Sequence, residues 1–336
     1  MQDFHDYERK IISEVKYFAE SINSKNKAVL DLSKLANATN ELPLSNLAHW
    51  ESLIRLEFYN ALEPSTKKNW RFWGNHSPVL TWLDLTSWDG FRREETLRSL
   101  TGAAPNSFFL TLAIRKLNDW VPQVRAAARE KIPLIANESD PLHVANALCI
   151  TLLNWNSWGR IEPADKDALF QVVSKKEIGN HIKSKIISSS SGPMSSLMAQ
   201  VGRTPILDNY LGEIAETAIQ PSVRARAYRS QFEKRMIWSE GRKFEWTDKK
   251  YCKSKLVPII GERGITTNAT FKELLNKSSL DTSSIVRRVA AEFLISKLEK
   301  FGDESIQLAK LFASDKSSAV SDRGTFALRK LKDVKN

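Results

Sequence analysis

The sequence predicts an all-α fold of stacked helix pairs. Three observations predict it: a five-position pattern recurs four times, its copies lie near multiples of one length, and the composition suits helices. The pattern is plainest in residues 118–132, NDWVPQVRAAAREKI. With Val124 as origin, Asp119 lies five before, Pro122 two before, Arg125 one after and Ala128 four after. Around Val223 stand Pro221, Arg224 and Ala227; around Val286, Asp281, Ser284, Arg287 and Ala290; around Val320, Asp315, Ser318 and Gly324. Ala218 replaces the aspartate of the second copy and Ser321 the arginine of the fourth.

Each position has a physical reason. An acidic or hydroxyl side chain just ahead of an apolar-periodic run accepts from the free amides of a helix N-terminus. Proline fits the first turn, where its missing N–H had no intrahelical partner. The valine and the residues four and eight beyond it (Ile132, Leu294 and Leu328 at the eighth place) share one helix face. A small residue at the fourth place lets a neighbouring helix come close. One helix cannot bury such a face alone, so the pattern predicts stacked neighbours.

The origins lie 34, 63 and 99 residues apart, near one, two and three copies of a repeat in the low thirties. Skipped copies fall near 157, 190 and 255, where WNSWGRIEP (155–163) and SSSSGPMSS (188–196) read as loops. Glycine is sparse and hairpin dipeptides between alternating runs are missing, which argues against strands. The expectation is therefore paired antiparallel helices over 105–332, no β-sheet there, and all four valines buried.

These residues resemble the HEAT-repeat family of α-solenoids, whose second helices carry an Asp, a Pro, a Val-Arg pair and a small residue. The resemblance implies a right-handed solenoid of antiparallel helix pairs over 105–336, degenerate in the middle. It is taken as continuous with a helical cap over 1–104. It further implies that Arg125, Arg224 and Arg287 pair structurally with motif acids of nearby repeats, Asp119, Asp281 and Asp315 among them. WDGFRREETLRSL (88–100) is a candidate earlier copy, with Glu95 at the place of the small residue.

In the cap, Tyr7, Ile11, Val15, Phe18 and Ile22 recur at helical spacing, and Leu53, Leu56 and Tyr59 do so again. Residues 64–90 hold Trp70, Trp73, Trp82 and Trp88. Tryptophan is usually largely buried, so core under a long connection is favoured over a ligand platform.

Charge points to function. Lys and Arg number 50 against 39 Asp and Glu, a formal net charge of +11. Residues 224–255 concentrate cations and interleave them with aromatics, as a phosphate-tracking, base-stacking surface requires. The candidate nucleic-acid contacts are Arg226, Arg229, Arg235, Arg242, Lys243, Lys249, Lys250, Trp238 and Trp246. An acidic protein partner is the alternative, and a merely solvated face the bland one.

Catalytic signals are few. Only Cys149 and Cys252 are present, without a CxxC pair, and His5, His49, His76, His143 and His181 are scattered. No phosphate loop, dinucleotide fingerprint or nucleophile elbow occurs, and GERG (261–264) reads as a turn. Neither metal nor cofactor is expected. The opening MQDFHDYERK lacks a signal peptide's apolar core, and no run reaches the roughly 18 apolar residues of a membrane span, so cytoplasm is the default. A fainter resemblance is to the HEAT-like alkylpurine DNA glycosylases, which hold a damaged nucleotide with tryptophans and an aspartate. Trp88-Asp89 matches their Trp-Asp pair, but Arg92 stands where the catalytic aspartate belongs. The favoured reading is a non-catalytic scaffold that binds a polyanion.

Overall fold

A computed structural model describes residues 2–23, 31–62, 80–298 and 302–335. Trp70, Trp73 and His76 lie outside the described residues. The described residues form sixteen α-helices and one two-stranded antiparallel sheet, and the chain divides into two compact units, 1–181 and 182–336. The helical expectation is met over most of the chain. The expectation of no sheet in 105–332 fails at one place, a β-hairpin spanning 235–264.

The first unit begins with α1 (Gln2–Asn23), α2 (Ser33–Asn40) and α3 (Leu47–Leu62). Ile11, Val15 and Phe18 of α1 are buried. On α3 the buried stripe is Leu47, Trp50, Ile54 and Phe58, so the stripe expected through Leu53, Leu56 and Tyr59 is on the wrong face. Next come α4 (Gly90–Ser99), α5 (Ser107–Arg115), α6 (Pro122–Glu138), α7 (Pro141–Asn154) and α8 (Pro163–Val173). Here α4 packs on α6, α6 on α8, and α5 on α7.

Helix α9 (Lys176–Ser188) spans the division between the units. The second unit continues with α10 (Met194–Val201), α11 (Leu211–Thr217) and α12 (Pro221–Glu233), then β1 (Arg235–Asp248) and β2 (Lys253–Gly264). It ends with α13 (Phe271–Ser279), α14 (Ser284–Ser296), α15 (Gly302–Ala313) and α16 (Ser318–Lys335). The motif helices contact in sequence, α12 on α14 and α14 on α16, and α10 packs on α12.

Val124, Val223, Val286 and Val320 are all fully buried, as are Ala128, Ala227 and Ala290. At Gly324 an added Cβ would lie 2.5 Å from the Phe312 carbonyl carbon and 2.7 Å from Ala313 Cα, both backbone atoms of α15. The fourth place of the motif is thus where two helix backbones close together. Ala290→Leu is expected to overpack α14 and lower stability by about 1–3 kcal/mol in a denaturant titration; an unchanged midpoint would place the residue in open space.

The motif arginine makes one repeated clamp. Arg224 Nη1 donates to the Ala218 and Ile219 carbonyls at 2.8 and 3.1 Å, and its Nε and Nη2 grip both oxygens of Asp281 at 2.8 Å. Arg287 does the same to the Asp281 and Thr282 carbonyls and to both oxygens of Asp315. Each motif aspartate also accepts from the amide two residues on: Val121 to Asp119, Ser283 to Asp281, Ser317 to Asp315. One guanidinium therefore fixes the turn before its own helix and the turn before the next. The Asp315 carboxyl is held below its ordinary range by the Arg287 hydrogen bond. Arg125 follows the carbonyl half of the rule but reaches Glu162 rather than an aspartate. Glu162 caps α8, and its neighbour Asp165 is taken by Arg129.

Two register expectations change. Arg93 donates to the Ser87 and Trp88 carbonyls and to both Asp119 oxygens, which makes it the motif arginine of α4. The origin of that copy is then Arg92, and the small place falls on the buried Thr96 instead of Glu95. Second, the 63-residue interval from Val223 to Val286 is one repeat, not two. It contains the hairpin at 235–264, 30 residues, and the 33 that remain match the 34 between Val286 and Val320. The Arg224–Asp281 clamp shows the copies on either side of the hairpin to be adjacent.

Candidate nucleic-acid interface

The hairpin starts where α12 is stopped. Lys234 takes the left-handed conformation at the helix C-terminus, φ 54°, and turns the chain into β1. On leaving β2, the Ile265 amide donates to the Lys234 carbonyl at 3.0 Å, so the ribbon enters and leaves at one point.

Its base is bolted to the helices. Met236 is fully buried against Gly202, where a Cβ would lie 2.5 Å from the Met236 Cγ. Arg263 grips both oxygens of Asp208 at 2.6 and 2.8 Å and donates to the Gly202 and Thr204 carbonyls. The GERG stretch is thus the anchoring end of β2, not a turn. Gln200 donates to the Ser239 carbonyl and Arg226 to the Ile237 carbonyl. Trp238 donates its indole N–H to Glu240, stands against Gly261 and lies beneath the Arg203 guanidinium at 5.3 Å.

The expected contact residues separate into two groups on this geometry. Arg226, Arg229, Arg235 and Trp238 are occupied at or near the base. Arg226 binds Ser195 and the ribbon carbonyl, and burial, with Arg229 adding to it, pushes its guanidinium below the usual range. Arg229 pairs with Glu233 and Glu292, and Arg235 with Glu233 and Glu262. By contrast Arg242, Lys243, Lys249 and Lys250 are exposed on the outer ribbon and make no ion pair among the described residues. Trp246 joins them, 56 % exposed.

The outer ribbon runs from Gly241 to Pro258 with six cations (Arg242, Lys243, Lys249, Lys250, Lys253, Lys255) against Glu245 and Asp248. Register breaks between Ser239 and Gly241 and between Trp246 and Asp248 bracket a regular stretch. The tip turn is built without glycine: Asp248 accepts from the Lys250 and Tyr251 amides, and Cys252 takes φ 50°. The second-strand side chains Leu256, Ile259 and Ile260 are also exposed and were not among the expected contacts.

Compared with protein-family models, curated proteins and solved structures, the chain matches none. The site is read from its own chemistry.

Among the described residues no cluster of His, Cys, Asp or Glu is placed to hold a metal, and no helix is long and apolar enough to cross a membrane. Arg92 at the glycosylase position is buried, its Nε donating to Asp84 at 2.6 Å. In the tryptophan region, Trp82 is buried against Phe109, in keeping with core, whereas Trp88 is 78 % exposed with the Arg55 guanidinium 4.1 Å from its ring centre. Trp120, 77 % exposed, carries Arg160 in the same way at 3.2 Å.

Proposed function

We propose that this chain is a non-catalytic HEAT-like scaffold that presents a basic β-ribbon, anchored at its base, to the phosphate backbone of a nucleic acid. The observation that carries the reading is the contrast along the ribbon. Cations at its base are consumed by carboxylates and carbonyls, while those of its outer half make no ion pair among the described residues and stand in solvent. A two-stranded ribbon is one of the shapes that nucleic-acid grooves and backbones admit. The HEAT-like part of the reading is supported by the arginine clamp between successive motif helices and by the close approach at the fourth position.

The test is a salt titration of binding to labelled DNA and RNA. Affinity is expected to fall with salt at a log–log slope near −0.9 per phosphate contact on duplex, and about −0.7 on single strands. Arg242→Glu, Lys249→Glu and Lys250→Glu together are expected to flatten that slope by about three contacts and weaken binding across sequences alike, since phosphate contacts carry no base information. Binding that ignores both salt and these reversals would sink the reading.

A protein partner is the second reading. It is favoured by a different surface, the exposed Trp88, Phe91 and Trp120 with Arg55 and Arg160 upon two of the rings. It predicts that Trp88→Ala and Trp120→Ala abolish co-purification of the partner while leaving nucleic-acid binding intact.

A further inference from the structure

The register of the outer ribbon sorts its side chains onto two unlike faces. Paired residues across an antiparallel ladder share a face, and so do residues two apart on one strand. Phe244 pairs with Leu256, Trp246 with Ser254 and Arg242 with Pro258, all without a bulge between them, so they share one face. Lys243 with Val257 and Glu245 with Lys255 lie on the other. Phe244 is 74 % exposed, and Trp246 and Leu256 beside it are exposed as well. Cations stand at both ends of that apolar face: Arg242 upon it, Lys249, Lys250 and Lys253 at the tip.

We infer that the ribbon's ligand is a single-stranded nucleic acid whose unpaired bases stack on Phe244 and Trp246. This rests on the polyanion reading above and narrows it. In a duplex the faces of the bases are hidden in the stack, and only groove edges and phosphates are offered. Groove edges are read mainly by hydrogen-bond donors and acceptors, which Phe244 and Leu256 lack, and the thymine methyl is the one apolar group there that a ring could meet. Unpaired bases expose π-faces, and any base can lie on an aromatic ring. Residues two apart on a strand are separated by about 7 Å, roughly twice the rise between stacked bases, so the two rings are spaced to take a base between them. The phosphates on either side then meet Arg242 at one end and the tip lysines at the other. Trp238 takes no part, because Glu240 and the Gly261 backbone hold its ring. A second copy of the ribbon is a poor occupant, since it carries the same excess positive charge.

The experiment is fluorescence anisotropy with the full chain and a labelled mixed-sequence strand of about 12 nucleotides, within the usual site sizes of stacking platforms. The same strand as DNA, as RNA and in its duplex form is measured at one salt concentration. Both single strands are expected to bind more tightly than the duplex. Phe244→Ala and Trp246→Ala are each expected to weaken single-strand binding about fivefold to a hundredfold and leave the duplex unchanged. Trp246→Phe, which keeps a ring, should retain most of the affinity, and unchanged thermal melts exclude unfolding as the cause. Duplex binding equal to or tighter than single-strand binding overturns the inference, as does an equal loss on both forms. In those cases the triple charge reversal still weakens binding, so the polyanion reading survives. If no nucleic acid binds in a salt-dependent way, the reading fails and the inference falls with it.

Discussion

Replacing Glu51 with Gln is expected to cost the first unit about 3–5 kcal/mol, because it strips a buried lysine of its counter-charge. Glu51 on α3 and Lys116, in the turn that ends α5, are both buried, with Lys116 Nζ 2.7 Å from the carboxylate. Arg115 at 3.0 Å and Arg55 at 3.8 Å complete the shell. Burial pushes the Glu51 carboxyl up, but Lys116, Arg115 and Arg55 outweigh it and hold it below the ordinary carboxylate range. Burial dominates at Lys116 and lowers the ammonium, against the pull of Glu51. The sign of the pH dependence follows. In the wild type, Glu51 contributes stability above its unfolded value of about 4.3, and this is lost as pH falls through the lower folded value. In Glu51→Gln the uncompensated Lys116 binds its proton more weakly folded than unfolded. The deficit is therefore largest at neutral pH and shrinks as alkali discharges the amine. Urea titrations of the variant at several pH values check this, and adding Lys116→Met should recover much of the loss. A variant as stable as wild type at neutral pH would mean that the pair does not hold the fold.

Gly324→Leu is expected to cost about 3 kcal/mol, at the upper end of overpacking. The Cβ alone would meet the backbone of α15, which cannot swing aside as a side chain can. A leucine introduced at a solvated place on α16, Lys330→Leu, should leave the melt nearly unmoved. Equal melts for both variants would mean that α15 and α16 do not approach at Gly324.

How far the sequence could be read depends on what each position must do. The motif valines and small residues were legible because a helix–helix approach restricts size, and size shows in a single sequence. The pairing of Arg224 and Arg287 with aspartates of later copies was implied by the family resemblance and not by the offsets, and the same expectation missed at Arg125, which reaches Glu162. Arg93 was missed as a clamp because its copy has Arg92 at the origin, where an apolar residue was sought. The hairpin was illegible for a specific reason. Its turn uses Asp248 as acceptor and Cys252 in a left-handed conformation, so the glycine that usually advertises a tight turn is missing. Its strands do alternate, Arg242-Lys243-Phe244-Glu245-Trp246, but the alternation is charged against aromatic with both faces in solvent, so it gave no core signal. The cationic cluster was visible as composition. Which of its members are engaged was not, because Glu292 and Glu262, which bind Arg229 and Arg235, lie outside the cluster and distant in sequence.

The single hydrogen bond between Ile265 and Lys234 has a consequence for how this protein can change. Seen from the helices, thirty residues of chain begin and end at one spot, with Arg224 and Asp281 joined underneath as if the excursion were absent. Closing such a loop costs an entropy that grows only logarithmically with its length. Lengthening the outer ribbon, or rewriting its solvent-facing letters, therefore leaves the stack below nearly indifferent. The ribbon's sequence can thus vary while the helices that hold it stay fixed, as variable loops do on an immunoglobulin frame.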